Sequence, residues 1–172
     1  MFSVGDKVIH PAYGAGVIAE INEKQVSEQQ CTYYIIELLT QPGTLMVPVD
    51  RAEVLGLRLP VEEPEEVLTM LTSQPTMLSN DHRARQELIS TDIRSGDVVR
   101  ITEAVRDLAY RDREARLTEA DLRLYRQAQD LLVGELALSQ DVDMDTARLQ
   151  MTSVLENLES EETPGSPDVA QL

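Results

Sequence analysis

The hydrophobic period of this chain changes once, and that change limits what it can fold into. As far as Val49, apolar residues come in short runs rich in β-branched and aromatic types, punctuated by Gly and Pro. Such runs read as strands and turns. From Glu65 onward the apolar residues recur at the three-to-four spacing of amphipathic helices. Between the two lies Leu59-Pro60-Val61-Glu62-Glu63-Pro64, a Pro- and Glu-rich joint where the strand pattern stops. The pattern predicts an α+β chain: a small β unit, then a helical one.

In the first half, Val4-Gly5-Asp6-Lys7-Val8-Ile9 reads as a turn running into a short strand. His10 to Gly16 is a Gly/Pro-punctuated loop, and Val17 to Ile21 starts the next strand. Tyr33 to Leu38 is a third and Leu45 to Val49 a fourth. Pro42-Gly43 fits the centre of a type II turn, since Pro presets φ and Gly accepts a positive one. Pro48 has no N–H to donate, which places its strand at an edge or ends it there. Four or five short strands in this length suggest a strongly bent barrel at residues 1–59, followed by a linker at 60–66.

The helical domain is expected at residues 67–159. A short helix over Glu65–Leu71 carries acids in its first turn, where the macrodipole favours them, and Ser73-Gln74-Pro75 ends it. A second helix spans about Asn80 to Ile93, with Ser79 or Asn80 as N-cap. Ser95 is the expected cap of a third, in which Val98, Ile101, Val105 and Leu108 form the apolar stripe. Thr118 and Asp121 have capping-box spacing and open a fourth, whose Leu124, Ala128, Leu131 and Leu132 share a face. A fifth runs from about Asp145 to Leu158, with Leu149, Val154 and Leu158 on its apolar side. Residues 160–172 complete a stretch, "ESEETPGSPDVAQL", with the composition of an acidic disordered tail.

Charge restricts the partners. The chain carries a net charge of −16, and the only stretch that is not acidic is His82 to Arg116, where 8 Arg against 7 acids give +1. Unaided DNA binding depends on neutralising phosphates and releasing counterions, so DNA contact is expected only within a complex held by another partner. Arg83 and Arg85 are the expected phosphate contacts, because few acids precede them in their helix. The run Arg111, Arg113, Arg116, Arg123 and Arg126, interleaved with Asp112, Glu114, Glu119 and Asp121, reads as a solvated surface with local ion pairs.

Signals for catalysis or a resident cofactor are weak. His10 and His82 lie in different segments without Cys or carboxylates at metal-ligand spacing. Phosphate-loop, dinucleotide and nucleophile-elbow motifs do not occur. Asp141, Asp143 and Asp145 have the alternate spacing of a calcium loop, but Thr146 and Thr152 stand where its Gly and bidentate Glu belong. They read as acids at a helix start. Cys31 is the sole cysteine and reads as a strand residue. With no basic leader and no run of about 18 apolar residues, a cytoplasmic, non-enzymatic monomer without membrane contact is expected.

The opening "VGDKVIHPAYGAGVI", the strand "LMVPV" and the following "AEVLGLR" resemble the RNA-polymerase-interacting domain of the CarD family, shared with the transcription-repair coupling factor. The segment Ser95–Ser139, "SGDVVRITEAVRDLAYRDREARLTEADLRLYRQAQDLLVGELALS", is similar to that family's helical carboxy-terminal domain. The resemblance implies a Tudor/SH3-like barrel that binds the β subunit of bacterial RNA polymerase. It also implies a helical domain that touches promoter DNA at the upstream edge of the transcription bubble and stabilises the open complex. The docking surface carries over onto Lys24, Leu45, Met46 and Val47. Many relatives have Arg at the Lys24 and Met46 positions, so this interface is expected to be more apolar. Relatives also carry a Trp near the start of the second helix. This chain has no Trp, and counting back without gaps from Ser95-Gly96-Asp97 places His82 there. Two functions follow: a polymerase-docked regulator of promoter opening, or a polymerase-binding adaptor whose helical domain no longer engages DNA.

Overall fold

The computed structural model describes residues 1–26 and 29–161. Four strands, β1 (Lys7–His10), β2 (Gly14–Val26), β3 (Gln29–Leu38) and β4 (Thr44–Pro48), form one antiparallel sheet in the order β1-β2-β3-β4. The register shifts between Ile18 and Glu20, a bulge that sharpens the local twist and lets a four-stranded sheet curl. A single 3-10 turn (Val49–Arg51) follows β4. The chain then returns to β1, where Ile9 and Arg58 exchange both main-chain hydrogen bonds at 2.7 and 3.1 Å. The result is the expected bent half-barrel. Val8, Ile18, Tyr34, Ile36, Val47, Ala52 and Leu57 fill it.

Two strand segments went beyond the sequence reading. β2 starts at Gly14, so the loop after β1 is short, and β2 and β3 continue past the core as a ribbon. Asn22–Val26, Gln29 and Gln30 are exposed there, and without a buried face they show no alternation. As Pro48 implied, β4 is an edge strand and ends at that residue.

The helices are α1 (Pro64–Leu71), α2 (His82–Ser95), α3 (Val98–Glu114), α4 (Glu119–Gln140) and α5 (Met144–Glu161). α1 begins inside the stretch read as linker, with Pro64 in its first turn, where the missing N–H costs nothing. Their shared core includes Leu71, Ile89, Ile93, Ile101, Val105, Leu108, Leu132, Leu136 and Met151. The N-caps differ from expectation. Asp81, not Ser79 or Asn80, caps α2 through the Arg83 amide. Asp97, not Ser95, caps α3; Ser95 ends α2, and its Oγ accepts from the Asp97 amide at 3.2 Å. The Thr118–Asp121 capping box is present. On α5 the buried residues are Ala147, Met151 and Leu155, while Leu149 is 68% exposed. Asp143 accepts from the Thr146 amide at 2.7 Å and so caps the start of α5; that bond holds its carboxyl below the ordinary range. Residues 162–172 of the expected tail lie outside the described residues. No helix among the described residues is long and apolar enough to cross a membrane.

The sheet and the helices meet along α4. Ile9, Ala15 and Leu138 form a small buried cluster across this seam. Gly134 lets α4 lie against β2, since a Cβ there would sit 2.9 Å from that of Ala15. Gly96, at φ 68°, closes α2 where a Cβ would meet Pro11 at 2.4 Å. Both the conformation and the space exclude a side chain. Across the same seam Arg58 donates to both oxygens of Glu135, at 2.6 and 2.7 Å, and to the Gly96 carbonyl at 2.9 Å. Glu135 also accepts from the Val61 amide at 3.0 Å. Lys7 donates to the Leu138 carbonyl and pairs with Asp141. The two units are therefore clasped, not merely tethered.

Candidate polymerase and nucleic-acid surfaces

Strand alternation decides what β4 offers. Leu45 and Val47 face the barrel interior: Leu45 is half-buried against its core, and Val47 is only 2% exposed. Met46 points the other way and is 40% exposed. Its sulfur lies 3.7 Å from Lys24 Nζ, across the width of β3. Met46 also pairs in register with Ile35, which is half-buried on that outer face. Of the four expected docking residues, the structure brings Lys24 and Met46 together on the surface. Val47 is a correction. Its side chain is part of the core, and only its main chain, on a strand with a single neighbour, can meet a partner.

In the helical unit, Asp81 caps α2 and leaves His82 and Arg83 exposed in its first turn. Arg85 does not join them. It is 3% exposed, and its Nε and Nη2 reach the two carboxylate oxygens of Asp121 at 3.0 and 2.7 Å, while Nη1 donates to the Ser79 carbonyl at 2.7 Å. The expectation that Arg85 contacts phosphate is corrected: its guanidinium is already occupied in a buried fork. Burial by itself would raise the Asp121 carboxyl. Hydrogen bonds from Arg85 and from the Thr118 amide and hydroxyl, together with the Arg85 charge, outweigh it and hold the group well below the ordinary carboxylate range.

Other arginines of the His82–Arg116 stretch are likewise occupied. Arg106 is buried against Asp107 at 2.8 Å, Arg100 pairs with Asp92, and Arg111 donates to the Asn80 side chain. Arg83, Arg94 and Arg116 are exposed and make no ion pair among the described residues. The local ion pairs expected for Arg116, Arg123 and Arg126 do not form among the described residues, and Asp121, one of the interleaved acids, is committed to Arg85. The burial of three carboxylates, Asp107, Asp121 and Glu135, was not read from the sequence. Glu135 had a visible signal, a lone acid inside the run Leu131-Leu132-Val133-Gly134-Glu135-Leu136-Ala137-Leu138. An acid there is almost never buried without a partner.

A curled sheet with an open edge is thus clasped to a helical bundle that exposes His82 and Arg83 at one helix start. Residues 2–62 match the family model described as the CarD-like/TRCF RID domain, and residues 66–152 match CarD, C-terminal domain. The chain belongs to the CarD family of transcription factors and carries its RNA-polymerase-interacting domain. It is also similar to a candidate transcription factor, YdeB, of Bacillus subtilis (strain 168), with 28% identity over 145 residues, covering 79% of this chain and 90% of that protein.

Proposed function

We propose that this protein docks on the β subunit of RNA polymerase through the β4 edge with Met46 and Lys24, and that it changes the lifetime of the promoter open complex. It acts as a monomer by binding, without catalysis. The observation that carries this reading is the contact of Met46, on the outer face of the edge strand β4, with Lys24 of β2. Extended partners add to such an edge by main-chain hydrogen bonds, and outward side chains select among them. The seam supports the second half of the reading, since docking one domain then sets where His82 and Arg83 stand. Promoter DNA is engaged only in the polymerase complex, because a chain of net charge −16 opposes free DNA binding.

Met46→Glu should weaken capture of the β subunit by about tenfold or more, since it places an acid on a desolvated edge. Thermal stability should stay near that of the wild type, because the side chain faces solvent. A β-subunit pull-down with a parallel melt checks both, and undiminished capture would remove this face from the interface.

The burial of Arg85 favours a second reading, an adaptor that docks but leaves DNA alone. Open-complex lifetimes separate the two. A side chain inserted at a distorted base step offsets lost stacking worth about a few kcal/mol, and an indole offers a larger face than an imidazole. His82→Trp should therefore lengthen the lifetime on the cognate polymerase, and His82→Ala should shorten it. Identical lifetimes for all three proteins would support the adaptor.

A further inference from the structure

Outside these surfaces, a cleft of about 400 Å³ opens at the domain seam, between the loop after β1, the β3–β4 loop and the outer face of α4. Arg123 and Arg126 stand in it, one helical step apart on the same exposed face, and neither is in an ion pair among the described residues. The carboxylate in the cleft, Asp130, is already committed to Arg148 at 2.6 Å. The cleft thus holds two uncompensated positive charges in a protein whose net charge is −16. Tyr13 forms the facing wall. It is 45% exposed, and its ring rests on His10 with centroids 5.1 Å apart. Gln41 and Gln127 line the cleft between them, and their amides bond to nothing else among the described residues.

Guanidinium pairs match phosphate oxygens in both charge and fork geometry. An exposed aromatic ring is a stacking platform for any base, and side-chain amides can meet base edges. Small-molecule sites favour domain seams, and this volume falls in their range. We propose that the cleft binds a nucleotide, with its phosphate between Arg123 and Arg126 and its base against Tyr13. The unit comes either free in solution or from an unpaired nucleic-acid strand; both present the same phosphate and ring.

Titration calorimetry on the full chain at low ionic strength tests this, with a nucleoside triphosphate in one arm and a short single-stranded oligonucleotide in the other. Saturable binding is expected in at least one arm, and the arm that responds names the source. Joint replacement Arg123→Glu and Arg126→Glu should weaken it at least about tenfold. Tyr13→Ala should weaken it about fivefold or more, whereas Tyr13→Phe, which keeps the ring, should not. Arg94→Glu reverses one charge at an exposed arginine on another helix and should leave affinity within the error. No binding in either arm overturns the proposal. So does binding that ignores the cleft variants, or that falls equally with Arg94→Glu, which would reflect charge alone. Polymerase is absent from the experiment, so its outcome stands apart from the docking reading.

Discussion

Asp121→Ala should cost about 3–5 kcal/mol of stability, the range for removing one partner of a buried ion pair. The substitution leaves Arg85, 3% exposed, holding an uncompensated charge. It also takes the acceptor from the Thr118 amide and hydroxyl, at 2.9 and 2.8 Å, so the start of α4 loses the reciprocal half of its capping box. Arg85→Met should be milder, because Asp121 then keeps the Thr118 bonds and those atoms remain satisfied. The pH dependence has a definite sign. The folded-state pKa of Asp121 lies below its ordinary value, so the unfolded chain binds the proton more readily. The contribution is complete above the unfolded carboxylate pKa, about 4, and declines as pH falls below it. Urea unfolding at several pH values should therefore show wild type and Asp121→Ala converging under acid conditions. A loss below about 0.5 kcal/mol at neutral pH, the range of ordinary surface changes, would remove this fork from the determinants of the fold.

The placement of Asp121 shows where sequence reasoning succeeds and where it stops. Its spacing from Thr118 is local information, and the capping box follows from it. Its bond to Arg85 joins residues 36 apart, and no pattern within either helix reports that. Arg83 and Arg85 look equivalent along the chain; packing of α2 on α4 buries one and exposes the other. The N-caps of α2 and α3 fail for a different reason. Ser79-Asn80-Asp81 and Ser95-Gly96-Asp97 each offer more than one side chain able to cap, and tertiary geometry selects. At Gly96 the left-handed turn against Pro11 has to come first, which moves the start of α3 to Asp97. On α5 two apolar sets compete at helical spacing, and contact with the other helices chooses Ala147, Met151 and Leu155 over Leu149. On β4, strict alternation was already visible in Leu45-Met46-Val47. Its consequence, that Val47 faces inward while Met46 faces out, needs the barrel interior to be located first. The outward pairing of Met46 with Lys24 then depends on the β2–β3 register, which the polar ribbon does not encode by hydrophobic pattern.

Glu135→Ala should separate docking from its consequence. Glu135 is 2% exposed and holds three things at once: the Arg58 fork, the Val61 amide and, through Arg58, the end of α2 at Gly96. Arg58 is more accessible, at 32% of its side chain, so it can rehydrate once its partner is gone. The expected stability loss is therefore about 1–3 kcal/mol, the cost of leaving buried groups unsatisfied, and smaller than for Asp121→Ala. The barrel core and the β4 edge do not touch Glu135, so capture of the polymerase β subunit should persist. What is lost is the fixed relation between that edge and the start of α2. Hydrogen exchange should accelerate at Val61 and around Arg58 while the cores of both units stay protected. If the proposed function is right, the effect on open-complex lifetime should fall with it, because His82 and Arg83 are no longer held at one position on the docked complex. Gly134→Val gives an independent route to the same result, since its Cβ would press on Ala15 at 2.9 Å and wedge α4 off β2 without touching any charge. Loss of β-subunit capture by well-folded Glu135→Ala would show that docking itself extends across the seam. Retained capture with an unchanged open-complex lifetime would show that the clasp serves stability alone.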